Sequence, residues 1–242
     1  MDVRLRVHIA PIGFEVRRIA DPLIRMRADV VYLVSLDQND KAGKFMKEIR
    51  RILKEESPQI DIREESTNLW DLFTCLAKYK EIFNKERKNE IFVNVSTGSK
   101  VAAISGTLAC MLWGGVPYYA KLDYGNELPE NIKPEKVGDI QDVPTFTIKT
   151  PRPEILKALR IIDSKGGKVS KKVMIQELVA LGVIRPVKEP ELTEAAKHSQ
   201  LRVLIDPMKN EFEYVEVESR GRTSIVHITK EGKNALRVFG TD

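Results

Sequence analysis

The chain of 242 residues has few of the residues that redox, metal and disulfide chemistry needs. It contains two cysteines, Cys75 and Cys110, and three histidines. Two cysteines cannot form a disulfide framework or a cysteine-rich zinc site. Because both lie in apolar segments, we expect two buried free thiols in a reducing compartment. No apolar run reaches the roughly 20 residues that a membrane-spanning helix needs, so we expect a soluble, cytoplasmic protein without a membrane partner.

The sequence also lacks the common nucleotide-loop and metal-site fingerprints. There is no G-x-x-x-x-G-K-[ST] and no G-x-G-x-x-G, which disfavours a nucleoside triphosphatase or a dinucleotide enzyme. The histidines His8, His198 and His227 are scattered and form no H-E-x-x-H pair. His8 falls in a predicted buried strand, where we expect a core residue rather than a base. We therefore predict no catalytic residue, no metal and no cofactor, and a non-enzymatic function is favoured over an enzymatic one.

What the chain does have is the composition of a globular protein with a heavily charged surface. Hydrophobic residues make up 42% and charged residues 31% of the sequence. Forty basic residues against 35 acidic ones leave a net charge of +5. This mild excess permits a nucleic-acid partner but does not require one.

The first half of the chain alternates between strand and helix patterns. Such alternation implies a parallel sheet with right-handed crossovers and helices on both faces. We therefore predict an α/β fold, a Rossmann-like doubly wound domain over residues 1–121, with five strands in the order 3-2-1-4-5. The predicted strands cover residues 3–10, 29–35, 60–63, 91–95 and 116–121.

Prolines mark the boundary between the two halves, since five of the twelve fall within residues 122–153. This stretch is predicted to be a connector, with a strand at 146–148. Residues 154–242 then show three helical patterns, two alternating strands and a final helix, which is the order of a winged helix-turn-helix domain. The predicted helices cover residues 154–164, 171–181, 191–205 and 230–238, and the strands 212–217 and 223–228.

The most informative segment lies where the fourth strand meets an apolar helix. It reads Asn94-Val95-Ser96-Thr97-Gly98-Ser99-Lys100. A helix start offers free main-chain N–H groups and a positive dipole end. Gly98 allows close approach, the hydroxyls of Ser96, Thr97 and Ser99 add donors, and Lys100 adds a charge. Together they suit a phosphate cradle, although an ordinary helix cap explains the same residues.

A second segment, Ile12-Gly13-Phe14, follows the first strand. With strands one and four adjacent, both segments would border the crevice at the carboxyl edge of the sheet, where ligands of such folds bind. Phe14 would either stack on a base or pack under its own helix.

These residues resemble the CRISPR-associated Rossmann fold (CARF) family, and the overall plan resembles archaeal CARF regulators with a C-terminal winged helix. Family members often show Asn or Asp, any residue, then Thr-Gly-Gly-Thr-Lys after strand four. The matching residues here are Asn94, Ser96, Gly98, Ser99 and Lys100, whereas Thr97 stands where the first glycine would be.

The CARF resemblance implies a homodimer that binds a cyclic oligoadenylate, tetra-adenylate foremost, in a pocket shared by the loops after strands one and four. In this sequence the pocket residues would be Ile12, Gly13, Phe14, Ser96, Thr97, Gly98, Ser99 and Lys100.

Double-stranded DNA is the second expected partner. The predicted recognition helix carries polar side chains that suit base edges or phosphates, although a solvated helix face looks the same. Two arginines flank the glycine of the hairpin tip, which suits a wing that grips phosphates or enters the minor groove. The predicted DNA-binding residues are Lys197, His198, Ser199, Gln200, Arg202, Arg220 and Arg222.

We thus expect a ligand-responsive transcription regulator. The alternatives are a ring nuclease that degrades cyclic oligoadenylate and an adaptor without a DNA function.

Overall fold

The computed structural model describes residues 4–36, 40–123, 136–186, 193–220 and 223–240. The chain divides into two compact units, Met1–Lys149 and Thr150–Asp242. Each unit has a hydrophobic core of its own, so each is described by itself below.

The N-terminal unit is built on a six-stranded sheet in the order β3-β2-β1-β4-β5-β6. The five neighbouring strands from β3 to β5 are parallel, which confirms the predicted doubly wound sheet and its strand order. The strands are β1 (Arg6–Pro11), β2 (Val30–Leu36), β3 (Asp61–Thr67), β4 (Glu90–Asn94), β5 (Val116–Leu122) and β6 (Val137–Asp142). Because parallel strands need covered faces, β1 and β2 are almost wholly apolar and buried.

The sixth strand corrects the expectation of five strands in the sheet, and it lies in the stretch predicted to be a connector. β6 pairs antiparallel with β5, and the Arg25 guanidinium donates hydrogen bonds to the carbonyls of Val137 and Gly138. Its sequence is half polar because it lies at the sheet edge, so no buried apolar run marked it. The strand expected at 146–148 is wrong, since that segment is irregular and the Ile148 amide donates to the Met111 carbonyl instead.

Four helices cover the sheet. They are α1 (Arg17–Arg25), α2 (Asp40–Glu56), α3 (Leu72–Lys85) and α4 (Lys100–Trp113). α1 and α2 bury one core against β1 and β2, with Ile19, Leu23 and Ile49 fully enclosed. α4 approaches the sheet closely because small residues form its inner face. A Cβ at Gly106 would lie 2.7 Å from Cγ1 of Val93.

The C-terminal unit has the predicted winged-helix order, with one short strand added. Its elements are α5 (Pro153–Ser164), β7 (Lys168–Ser170), α6 (Lys171–Ala180), α7 (Glu194–Asn210), β8 (Val215–Arg220), β9 (Thr223–Ile228) and α8 (Lys230–Phe239). β7 joins the hairpin in a three-stranded sheet of order β7-β9-β8. The core is formed mainly by α5, α6 and α7, with Leu159, Leu178 and Leu201 buried.

The third helix of this unit extends further than expected. The prediction ended it at residue 205, but α7 continues through Pro207 to Asn210. Proline removes one intrahelical hydrogen bond, that to the carbonyl four residues earlier. That carbonyl belongs to Val203, on the exposed side of α7, where water can satisfy it. The expected helix start at 191–192 lies outside the described residues.

In the part of the chain that the structure describes, no helix combines the length and apolar character needed to cross a membrane.

Candidate functional site

The loops after β1 and β4 lie against each other at the carboxyl edge of the sheet. A Cβ added to Gly13 would lie 2.8 Å from the Gly98 nitrogen, and one added to Gly98 would lie 2.8 Å from Cβ of Pro11. Gly98 also has a φ of +77°, a conformation that disfavours other residues. The structure therefore brings together the two segments that the sequence placed at one crevice.

The hydroxyls expected to donate to a ligand make hydrogen bonds within the protein. Thr97 is buried, and its hydroxyl donates to the Pro11 carbonyl at 2.8 Å, joining the two loops. The Ser96 hydroxyl donates to Oδ1 of Asn94 and accepts from the Ala120 amide at 3.0 Å. The Ser99 hydroxyl donates to the Leu69 carbonyl and accepts from the Ala102 amide at 2.9 Å. All three side chains thus hold the loop in shape.

The main chain at the start of α4 remains for an anion. The amides of Ser99, Lys100 and Val101 donate to no acceptor among the residues that the structure describes. The Lys100 side chain is exposed and forms no ion pair within those same residues. Free amides, a positive helix end and one lysine could hold an anion without help from the serine and threonine hydroxyls.

Asn94, at the end of β4, secures this loop to its surroundings. It is fully buried, and its Nδ2 donates to the Arg18 carbonyl of α1 at 3.0 Å. Its Oδ1 accepts from the Ser96 amide at 2.9 Å. The sequence singled out Asn94 as a motif match, but its role in joining α1 to the loop depends on a contact 76 residues away.

The three residues of the β1 loop have different positions. Ile12 is buried in the core beside α1 and α2, so it packs rather than faces a ligand. Phe14 is 76% exposed, and its ring meets Phe45 of α2 edge-on, with centroids 5.4 Å apart. Phe14 also lines a groove of about 670 Å³ beside α1 and α2, whose wall carries charges of both signs. The expectation that Phe14 packs under its own helix is wrong.

A third loop, between β3 and α3, reaches the same edge of the sheet and was missed from sequence. The Ser99 hydroxyl that caps α4 donates to its Leu69 carbonyl. The next residue, Trp70, is 67% exposed. Asp71 caps the following helix, accepting from the Thr74 amide at 2.8 Å.

His8 is a core residue, as predicted, and not an available base. It is fully buried on β1, stacks on Phe92 with centroids 4.9 Å apart, and lies 3.4 Å from the Tyr118 hydroxyl through Nδ1. Burial, and secondarily the charge of Arg6, lowers the pKa of His8 to about 3. The imidazole is therefore neutral at neutral pH.

Both cysteines are free and buried, as predicted. Burial raises the pKa of Cys110 to about 12 and raises that of Cys75. Neither thiol is a reactive nucleophile in this state.

The candidate recognition helix α7 presents a polar outer side opposite its buried leucines. His198, Ser199 and Arg202 are exposed there, and Arg202 pairs with Asp206 at 3.2 Å. Lys197 pairs with Glu194 of the same helix at 2.6 Å.

Gln200 is the exception among the predicted DNA-binding residues of α7. Its amide donates to the Arg185 carbonyl at 2.7 Å and accepts from the Arg185 N–H at 3.2 Å. The structure thus gives Gln200 a role in holding the loop before the helix.

At the wing, Arg220 is the last residue of β8 and pairs in register with Thr223. The Arg220 side chain, Gly221 and Arg222 lie outside the described part of the structure. His227 of β9 lies 3.4 Å from Glu218 across the hairpin.

Comparison with known proteins identifies both units. Residues 6–124 match a family model described as HFX_2341_N:-like, N-terminal, and residues 154–240 match the DUF6293 C-terminal winged helix domain. The uncharacterized protein MJ1513 of Methanocaldococcus jannaschii is 29% identical over 196 residues, which cover 69% of this chain. This chain spans 58% of the length of that relative.

Two solved structures share a general likeness at low identity. Csm6 of Enterococcus italicus, bound to cyclic hexa-2'-fluoro-hexa-dAMP, is 11% identical with a TM-score of 0.45; the match covers 87% of this chain and 57% of Csm6. Can2 of Sulfobacillus thermosulfidooxidans, in complex with cyclic tetra-adenylate, is 13% identical with a TM-score of 0.42; the match covers 97% of this chain and 64% of Can2. The sheet order and the two domain matches together show a doubly wound N-terminal domain joined to a C-terminal winged-helix domain.

Proposed function

We propose that this chain is a homodimeric regulator that binds a cyclic oligoadenylate through its N-terminal unit and double-stranded DNA through its winged helix. The observation that carries the proposal is the set of free main-chain amides at the start of α4, beside Lys100, on a loop that contacts the loop carrying the exposed Phe14. Three of the loop's hydroxyls are already bonded within the protein, so the loop is built before any ligand arrives.

A phosphodiester suits this site better than a neutral ligand. Amides at a helix start are aligned with the positive end of the helix dipole, and Lys100 adds a full charge. The exposed ring of Phe14, next to Gly13, offers an aromatic face to a base. Phosphate and base are two of the three parts of a nucleotide, and the resemblance of the loop to the CARF motif points to a cyclic oligoadenylate.

The ligand proposal is tested by titration calorimetry with cyclic tetra-adenylate and cyclic hexa-adenylate. Wild-type protein is expected to bind at least one of them, and Lys100→Ala is expected to weaken binding about tenfold through loss of one phosphate contact. Lys44→Ala, which removes an exposed lysine of α2, is the matched control. No heat with either cyclic compound would refute the ligand proposal.

The homodimer is supported by the outer face of α4. This helix carries Lys100 as its one charged residue, and small side chains fill its inner face. Its outer face exposes Ile104 at 54%, with Leu108 and Met111 partly exposed nearby. An uncovered apolar helix face next to a ligand site fits a second copy of the chain, which would bring two anion sites together.

Light scattering after gel filtration tests the dimer. Wild-type protein is expected at twice the chain mass, and Ile104→Glu is expected to run as a monomer because two buried carboxylates would face each other. Lys47→Glu, at an exposed position of α2, introduces the same carboxylate away from this face. A monomeric wild type would refute the dimer.

DNA binding is supported by the exposed side of α7, whose polar residues His198, Ser199 and Arg202 are free of packing contacts with the core. A winged helix places its third helix in the major groove. The wing arginines Arg220 and Arg222 complete the proposed surface. Lys172, near Glu194 at the start of α7, adds a cation that the sequence prediction did not include.

Gel-shift titration on the protein's own promoter tests this surface. Arg202→Ala is expected to weaken binding and to lower the slope of log affinity against log salt by about one. Arg160→Ala is the matched control, an exposed arginine of α5. Equal affinity of both variants would refute the role of α7, and wild-type binding that does not depend on salt would favour the adaptor alternative.

The ring-nuclease alternative has less support from the site. A nuclease needs a nucleophile or a base beside the phosphate, but the hydroxyls of Ser96, Thr97 and Ser99 all donate to protein acceptors. Incubation with cyclic tetra-adenylate and analysis for linear products separates the two functions, because a pure sensor returns the compound intact.

A further inference from the structure

The turn between β3 and α3, residues 68–71, is held rigidly at both ends. Asn68 Oδ1 accepts the Trp70 amide at 3.0 Å, which closes the turn locally. Asp71 Oδ1 accepts both the amide and the hydroxyl of Thr74, at 2.8 and 2.6 Å, which anchors the turn to α3. Between them the Leu69 side chain is buried in the core. The backbone of this turn therefore has one well-defined position.

The same turn is attached to the anion site. The Leu69 carbonyl accepts the hydroxyl of Ser99, and Ser99 is the N-cap residue of α4. Trp70 is adjacent to that carbonyl in the chain, and Lys100 is adjacent to Ser99. One hydrogen bond thus fixes the distance between the tryptophan backbone and the free amides of α4.

The Trp70 side chain is unusual in this setting. Two-thirds of it is exposed, although its neighbour Leu69 is buried and its backbone is fixed. An exposed tryptophan on a preorganised turn incurs a hydration cost that a binding partner would remove, and rigid tryptophans are typical of recognition sites. Since the Leu69–Ser99 hydrogen bond joins the backbone of this turn to the start of α4, a ligand with both negative charge and a flat apolar face would suit the two features together.

We propose that Trp70 forms a stacking platform for a nucleobase of the ligand whose phosphate occupies the start of α4. This rests on the proposed function, because it assigns a subsite to the same nucleotide. Phe14 adjoins Gly13 on one side of the cradle and Trp70 adjoins Leu69 on another, so two bases of a cyclic oligonucleotide have an aromatic ring each. Every base has a π-face on which an aromatic ring can stack. Because Trp70 and Phe14 would each stack on a different base, loss of the Trp70 ring should weaken binding even while Phe14 remains.

Fluorescence can isolate this residue because the chain has two tryptophans. The other, Trp113, ends α4 and packs on Phe83 with centroids 5.9 Å apart. It lies thirteen positions along α4 from Lys100, which is about 20 Å along the helix axis. In Trp113→Phe, emission reports on Trp70 alone, and in Trp70→Phe it reports on Trp113 alone.

The experiment titrates cyclic tetra-adenylate and cyclic hexa-adenylate into both single-tryptophan proteins, with calorimetry in parallel on the wild type. Emission of Trp113→Phe is expected to be quenched in step with the calorimetric isotherm, and emission of Trp70→Phe to stay constant. Trp70→Ala is expected to weaken binding by roughly 5-fold to 150-fold, the range for loss of one base stack, while Trp70→Phe keeps most of the affinity. Circular dichroism confirms that the variants are folded.

The outcomes separate this inference from the proposed function. If calorimetry shows binding but Trp70 emission is not quenched and Trp70→Ala binds as tightly as the wild type, the stacking role is overturned. The proposed nucleotide site then still stands. Trp70→Ala that turns the protein monomeric without ligand assigns the ring to the dimer interface and also overturns it. Absence of any heat in the wild type overturns both.

Discussion

The buried histidine makes the N-terminal unit sensitive to acid, and His8→Phe should remove that sensitivity. In the folded chain His8 is neutral, with a pKa lowered from 6.5 to about 3 by burial. In the unfolded chain it takes up a proton below pH 6.5. Between about pH 3 and pH 6.5 the unfolded state therefore binds more protons than the folded state. The free energy of unfolding falls as the pH is lowered through this range, and the contribution of neutral His8 is fully present above pH 6.5.

The size of the effect follows from the window. Each pH unit below 6.5 lowers the free energy of unfolding by about 1.4 kcal/mol. Lowering the pH from 7.5 to 5 should therefore reduce that free energy by about 2 kcal/mol through this one residue. A phenylalanine in its place keeps the stack on Phe92 and removes the buried Nε2, which has no partner among the described residues. The loss of about 2 kcal/mol should disappear in the variant.

The assay is urea unfolding followed by tryptophan fluorescence at pH 7.5 and pH 5. Both tryptophans, Trp70 and Trp113, belong to the N-terminal unit, so the signal is insensitive to the winged helix. His198→Gln, an exposed histidine of α7, is the control and should behave as the wild type. If wild type and His8→Phe lose the same stability between the two pH values, His8 is not buried in neutral form and the reasoning fails.

Three further substitutions test single features of the fold. Gly98→Ala should destabilise the N-terminal unit by about 1–3 kcal/mol in the same urea assay, because Gly98 has a φ of +77° and an added Cβ would meet Pro11. The control Gly43→Ala, at an open helical position, should stabilise the unit slightly. Gln200→Ala should lower winged-helix stability by about 1–2 kcal/mol, seen as faster amide exchange in the preceding loop, and Ser199→Ala should not. Asn94→Asp keeps the acceptor for the Ser96 amide but loses the donor to the Arg18 carbonyl of α1. It should therefore weaken both stability and cyclic tetra-adenylate binding. Stability should recover in acid, because a protonated carboxyl again offers a donor.

The sequence predicted the sheet order because each central strand is an apolar run followed by a helix with its own period. The same logic failed at one edge of each sheet. β6 and β7 carry polar residues, and they are strands only because β5 and β9 are already in place to pair with them. Pairing with a distant partner leaves no local pattern in the sequence.

The site shows the same division between local and distant information. The loop at Ser96–Lys100 could be located from the strand-to-helix junction, but its hydroxyls could not be assigned. Thr97 bonds a carbonyl 86 residues earlier, and Ser99 bonds one 30 residues earlier. Trp70 escaped notice for the same reason, since its turn joins the site through that second bond.

These long-range bonds bear on how a ligand could act at a distance. A loop whose hydroxyls already form hydrogen bonds within the protein can bind an anion without rearranging. Little free energy is then spent on ordering the loop, and the loop itself undergoes little conformational change. A ligand shifts an equilibrium only by its different affinity for two states. In the proposed dimer, with a rigid cradle, that difference would come from how well two copies of the site fit one ring. The arrangement of the dimer, not the loop, would then carry the response. By linkage, the factor by which the cyclic compound changes DNA affinity must equal the factor by which DNA changes affinity for the compound, and unequal factors would contradict a single shared equilibrium.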